Sequence, residues 1–118
     1  SMDAPFQGAF GIYAATDPTA TDKMREGILG EIRRLQEEEV SFQELERAKN
    51  YLIGNYLIAR QTNASKAADI TFNELFGFGS NFSQRYQAGI ERVTADDILK
   101  FARSYLPLDR YVLTILGP

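Results

Sequence analysis

The chain contains no His, no Cys and no Trp among its 118 residues. Without His there is no Ser-His or Cys-His nucleophile pair, no imidazole metal ligand and no imidazole titrating near neutral pH. Without Cys there is no disulfide, thiolate nucleophile, zinc finger or iron–sulfur site, and either redox compartment stays open. Any metal site is restricted to oxygen ligands. Basic excess is lacking too: 13 basic against 16 acidic residues give a net charge of −3, which argues against a nucleic-acid surface. No apolar run approaches the roughly 18 residues that a bilayer span requires, and nothing resembles a signal peptide.

What remains is an ordinary globular balance, 44% hydrophobic and 25% charged. The length suits one small domain, with about two-thirds of the unfolded surface buried on folding. Ser1-Met2 reads as a tag-cleavage remnant ahead of an engineered start, so the chain is expected to be part of something longer.

Gly8–Ala15 reads as a strand. Phe10, Ile12 and Ala14 alternate with Gly11, Tyr13 and Ala15, and both faces are apolar, as in a covered strand. Asp17-Pro18 then opens a helix that runs to about Glu38, with Asp17 as N-cap and Pro18 in the first position. Met24, Ile28, Ile32 and Leu35 form its stripe. Arg33 and Arg34 each meet a Glu four residues on, and Glu37-Glu38-Glu39 marks its end.

Ser41-Phe42-Gln43-Glu44 matches a capping box with Val40 as staple, opening a helix to about Arg60. Its second half is apolar nearly all round, so it is expected to be the most buried helix. Asn63 is expected to cap a third helix, which Gly77-Phe78-Gly79-Ser80-Asn81 ends. A fourth runs from about Phe82 to Glu91. Thr94 caps a fifth, which Pro107 closes. Arg110–Leu116 reads as a second apolar strand.

The expected class is therefore α+β, in the order β-α-α-α-α-α-β, with the helices on one face of a mixed or antiparallel sheet. Two strands make a poor sheet alone, so further strands are expected from outside this chain. A strand edge left without neighbours invites pairing with another copy, here through Gly8–Ala15 or Arg110–Leu116.

The chemical motifs have plain structural readings. In Glu37-Glu38-Glu39 and Asp96-Asp97, adjacent helix positions diverge by about 100°, which suits solvated helix ends better than a shared cation. Lys100 and Ser104 stand four apart but lack the dry pocket that a Ser–Lys nucleophile needs. Gly77-Phe78-Gly79 has no preceding strand and reads as a helix stop, not a phosphate loop. Asn63-Ala64-Ser65 and Asn81-Phe82-Ser83 match the glycosylation triplet, with both Asn better employed as caps. The six Tyr and eight Phe have no interleaved basic stripe and are assigned to packing. On these grounds the chain carries no catalytic, cofactor-binding or metal-binding residue.

Three stretches taken in order resemble a known family. They are Glu44-Leu45-Glu46-Arg47-Ala48-Lys49-Asn50-Tyr51-Leu52, then Val93-Thr94-Ala95-Asp96-Asp97-Ile98 continuing to Ala102-Arg103-Ser104-Tyr105-Leu106, then Tyr111-Val112-Leu113-Thr114-Ile115-Leu116-Gly117-Pro118. Together they resemble the end of a domain in the pitrilysin/insulinase-type zinc metallopeptidases, the family of inverzincins that includes the mitochondrial processing peptidase and the core subunits of the respiratory bc1 complex. Gly8–Ala14 fits the strand that precedes these helices. The resemblance covers nearly the whole chain.

It implies a repeated α/β domain, helices packed on one side of a mixed sheet. Residues 8–118 of the single partial domain 1–118 would be the C-terminal part of a non-catalytic copy, and 1–7 a tag remnant or lead-in. Active relatives carry His-x-x-Glu-His and a distant Glu in their N-terminal domain; two His and the distant Glu hold zinc, and the motif Glu activates water. Lacking His, this chain is expected to be inactive alone, with zinc in the catalytic domain of the parent. The Arg and Tyr that hold the substrate backbone in active relatives lie upstream of the strand matched here, so no functional residue is carried over.

The expected function is that of a non-catalytic fragment of a zinc-dependent peptidase. It would help enclose the peptide substrate in proteolysis and pack against the remaining half-domain and the catalytic domain. The alternative is a scaffold or assembly module of an inactive relative, as in respiratory-complex core subunits. A free-standing dimeric binding module is a third reading.

Overall fold

The computed structural model describes residues 10–117. Among them the chain forms five α-helices and no strand: α1 (Thr21–Glu37), α2 (Phe42–Ala59), α3 (Asn63–Leu75), α4 (Phe82–Arg92) and α5 (Ala95–Tyr105). A 3-10 turn, Pro18–Ala20, precedes α1. The expected α+β class with a mixed or antiparallel sheet is therefore corrected to all-α among the described residues.

Both expected strands fail for the same reason. A strand exists through its ladder of inter-strand hydrogen bonds, and neither segment has one. Gly8 and Ala9 lie outside the described residues, as does the lead-in 1–7; residues 10–15 are irregular, as are 111–116. The apolar side chains that suggested a covered strand stand in solvent, with Val112 94% and Leu116 98% exposed. The edge pairing expected of these segments rested on their being strands, and that basis is gone.

The helices follow local chemistry. Asp17 accepts from the Thr19 backbone N–H at 2.9 Å and from its hydroxyl at 2.6 Å, and Pro18 supplies a helical φ without wasting a donor. This cap serves the 3-10 turn, and the α-helix proper starts three residues later than the sequence reading. Ser41 accepts from the Glu44 N–H at 3.2 Å and caps α2.

At α3 the cap is Thr62, not Asn63. The Thr62 Oγ1 accepts from the Ser65 N–H at 3.1 Å, while the Ser65 hydroxyl accepts from the Thr62 N–H at 3.2 Å. Ser65 thus performs the reciprocal half of a capping box usually given to Glu or Gln. At the other end of α3 the Phe78 N–H reaches back to the Asn73 carbonyl at 2.7 Å and the Gly77 N–H to Glu74 at 3.1 Å. This Schellman closure requires the left-handed φ of +74° that Gly77 adopts.

The chain divides into two compact units, 1–40 with 96–118, and 41–95. In the first, α1 and α5 are stitched at their ends. The Gln36 amide donates to the carbonyls of Ala102 at 3.3 Å and Leu106 at 2.7 Å, and the Arg103 Nε donates to the Gln36 carbonyl at 2.7 Å. The Gln36 carbonyl, orphaned at the end of α1, is thereby satisfied. Ala102 is almost fully buried, and Leu106 and Val40 are buried with it.

In the second unit α2 packs against α4. The Tyr56 and Tyr86 rings lie 4.4 Å apart, and Lys49 donates to the Glu91 carbonyl at 3.0 Å. The expectation that α2 would be the most buried helix fails. None of its residues is buried, and Phe42 is 77% exposed. An apolar circumference supplies faces in every direction, and within this unit α4 covers one of them.

Candidate functional site

Two features stand out, one in each unit. In the first unit an open groove of about 770 Å³ runs along α1. Its floor is the stripe read from the sequence, Met24, Ile28, Ile32 and Leu35, with Gly27 between. Phe10, Ile12 and Leu106 form the apolar wall, and Lys23 and Glu31 are its charged members. Glu31 engages Arg34 through Oε2 at 3.0 Å. Such a lining can bury apolar surface against a partner.

In the second unit a polar knot ties three helices. Asp69 Oδ2 on α3 lies 2.9 Å from the Arg60 guanidinium that follows α2. It also accepts from the Asn73 amide at 2.8 Å and the Ser83 hydroxyl at 3.2 Å. Arg60 donates in addition to the Tyr56 and Ser83 hydroxyls and lies over the Tyr56 ring. The two ion-pair side chains are only 17% and 23% exposed. A carboxylate oxygen so engaged by three donors orders the unit. Sequence reading missed this knot because its members lie on separate helices with no shared spacing, and Asp69 is one of several polar residues on α3, among them Lys66, Asn73 and Glu74.

The motifs weighed from the sequence are placed as follows. Glu37 and Glu38 end α1, Glu38 as its C-cap. Asp96 binds Lys100 at 2.6 Å one helical turn away, so the Lys100 ammonium serves that carboxylate and not Ser104. Gly77 and Gly79, both at positive φ, close α3. Asn63 is the first residue of α3, and Asn81 occupies the N-cap of α4 without a side-chain capping bond. Among the described residues no three His, Cys, Asp or Glu side chains gather where they could hold a metal ion. No helix among them is long and apolar enough to cross a membrane.

These features give a helical chain that exposes large apolar side chains on several of its helices. The family model described as the Peptidase M16 inactive domain matches residues 3–52, which include α1 and the first half of α2. The match supports a non-catalytic domain of this peptidase family, in agreement with the resemblance read from the sequence. No curated protein and no solved structure matches the chain.

Proposed function

We propose that the chain works as a non-catalytic part of a zinc-dependent peptidase, helping to wall the chamber around the peptide substrate and packing against the remaining domains of its parent. Residues 8–118 would then be the C-terminal part of one processing-peptidase-like domain. Zinc and the water-activating glutamate would belong to a separate domain. The observation that carries this reading is the match to the inactive domain over residues 3–52. The large apolar side chains exposed on α2 and α3, among them Phe42, Leu57, Ile58 and Leu75, supply surface for such packing.

The test is a peptidase assay of the chain with zinc and unfolded peptides, alone and mixed with the other domains of its parent. The expected result is no cleavage alone and chelator-sensitive cleavage in the mixture. Chelator-sensitive cleavage by the chain alone overturns the proposal.

The second reading, a scaffold module of an inactive relative, draws on the same exposed apolar faces. An intact His-x-x-Glu-His in the parent or in a partner encoded beside it favours the peptidase; its loss in both favours the scaffold.

A further inference from the structure

We propose that the polar cavity between α2, α3 and α4 is a binding site for a phosphate monoester, held by an unused edge of Arg60 and by Lys66. The cavity is about 300 Å³, at the lower end of the size usual for a small-molecule site. Arg60 and Lys66 line it together with Tyr56, Leu57, Ser83 and Gln84, and no carboxylate does. All of them belong to the unit 41–95.

Arg60 is held in place yet not spent. Its contacts to Asp69, Tyr56 and Ser83 all run through Nη1, and the guanidinium lies over the Tyr56 ring, 5.0 Å from its centre. Its Nε and Nη2 have no partner among the described residues. Nor are these nitrogens sealed in protein, because among the described residues Arg25 Nε is the only buried side-chain nitrogen or oxygen without a partner. The Nε–Nη2 edge of a planar guanidinium presents two parallel N–H groups to an oxyanion. Holding that edge still in advance spares the rotamer entropy a loose arginine loses on binding.

Lys66 adds a compact charge that has no ion-pair or hydrogen-bond partner among the described residues. Asp69 offsets the Arg60 charge, so the Lys66 ammonium gives the lining a positive balance. The Tyr56 hydroxyl accepts from Arg60 and keeps its own proton to donate. A carboxylate has two oxygens and is exhausted by the arginine edge. A phosphate monoester has three terminal oxygens, two for Arg60 and one for Lys66. The cavity exceeds the anion alone, and the Tyr56 ring and Leu57 supply an apolar wall for the esterified group.

The test is an NMR titration of the isotope-labelled full chain, following backbone amides and arginine Nε–H resonances at constant ionic strength. The probes are phenyl phosphate, inorganic phosphate and benzoate. Phenyl phosphate is expected to give saturable shifts at the Arg60 Nε–H and at the amides around Lys66 and Ser83, with the other arginines unmoved. Inorganic phosphate should bind there about fivefold more weakly, and benzoate about tenfold more weakly. Lys66→Gln should weaken phenyl phosphate about tenfold, and Lys66→Arg should restore it. Arg60→Lys keeps a cation for Asp69 but loses the two-pronged contact, again with a loss of about tenfold. Circular dichroism checks that each variant keeps its helices, and Lys66, which bonds to nothing here, is the position least able to disturb them.

Shifts that never saturate, or that spread over all the basic residues, overturn the proposal. So does benzoate binding as tightly as phenyl phosphate, free phosphate binding as tightly as its phenyl ester, or a Lys66→Gln chain that binds like wild type.

Discussion

Single side chains hold this molecule together at helix ends and in one knot. Ser41→Ala removes the acceptor for the Glu44 N–H, and the expected loss is about 1 kcal/mol in chemical denaturation. Asp69→Ala should cost more, about 2 kcal/mol, because it strips Arg60, Asn73 and Ser83 of a shared acceptor in a half-buried place.

Two exposed groups should respond to pH at opposite extremes. The Thr19 hydroxyl, and then the Thr19 N–H, hold the Asp17 carboxyl below its ordinary value of 3.8. A lowered folded value means that the contribution is present above 3.8 and is lost as pH falls through the lowered value. The hydrogen bond from Lys100 to Asp96, and then the Asp96 charge, raise the Lys100 ammonium above 10.5. Its contribution is present below 10.5 and is lost as pH rises through the raised value. NMR titration should show the first turn around Thr19 loosening in acid, and Asp17→Asn should abolish that transition.

Elements were legible where their signals are local. Five helices follow from stripes, caps and stops that lie within a few residues of one another, and Ser41 and Gly77 perform the roles their types suggest. The cap of α3 was misread by one position because Ser65 does the work normally given to Glu or Gln. The strands were misread because apolar alternation describes a side-chain pattern, whereas a strand is made by a neighbour. The Asp69 knot was invisible because Arg60, Asp69 and Ser83 meet only after three helices have packed. The α1 groove was half legible: its stripe was read as an inward face, but its openness was not. At this scale Gly77→Ala is the informative substitution. Forcing a Cβ into a φ of +74° should destabilise α3 by about 1 kcal/mol, read from the denaturation midpoint.

For the molecule as a whole, little apolar surface is buried: among the described residues only Val40, Ala102 and Leu106 qualify. A chain of this length can bury far more. Partners that bind only the folded form stabilise it by mass action. The other domains of the parent should therefore raise the thermal midpoint, and the rise should grow with their concentration. A midpoint unchanged at saturating partner would count against interdomain packing.

The clamp between Gln36 and the carbonyls of Ala102 and Leu106 also bears on how the protein is born. Its members lie 66 and 70 residues apart, so a long loop must close before the contact rewards the closure. Residues 41–95 form one uninterrupted stretch, and every group in their own knot leaves the ribosome before Leu106 does. Residues 41–95 can therefore take shape during synthesis while α1 waits for α5, which follows them from the ribosome.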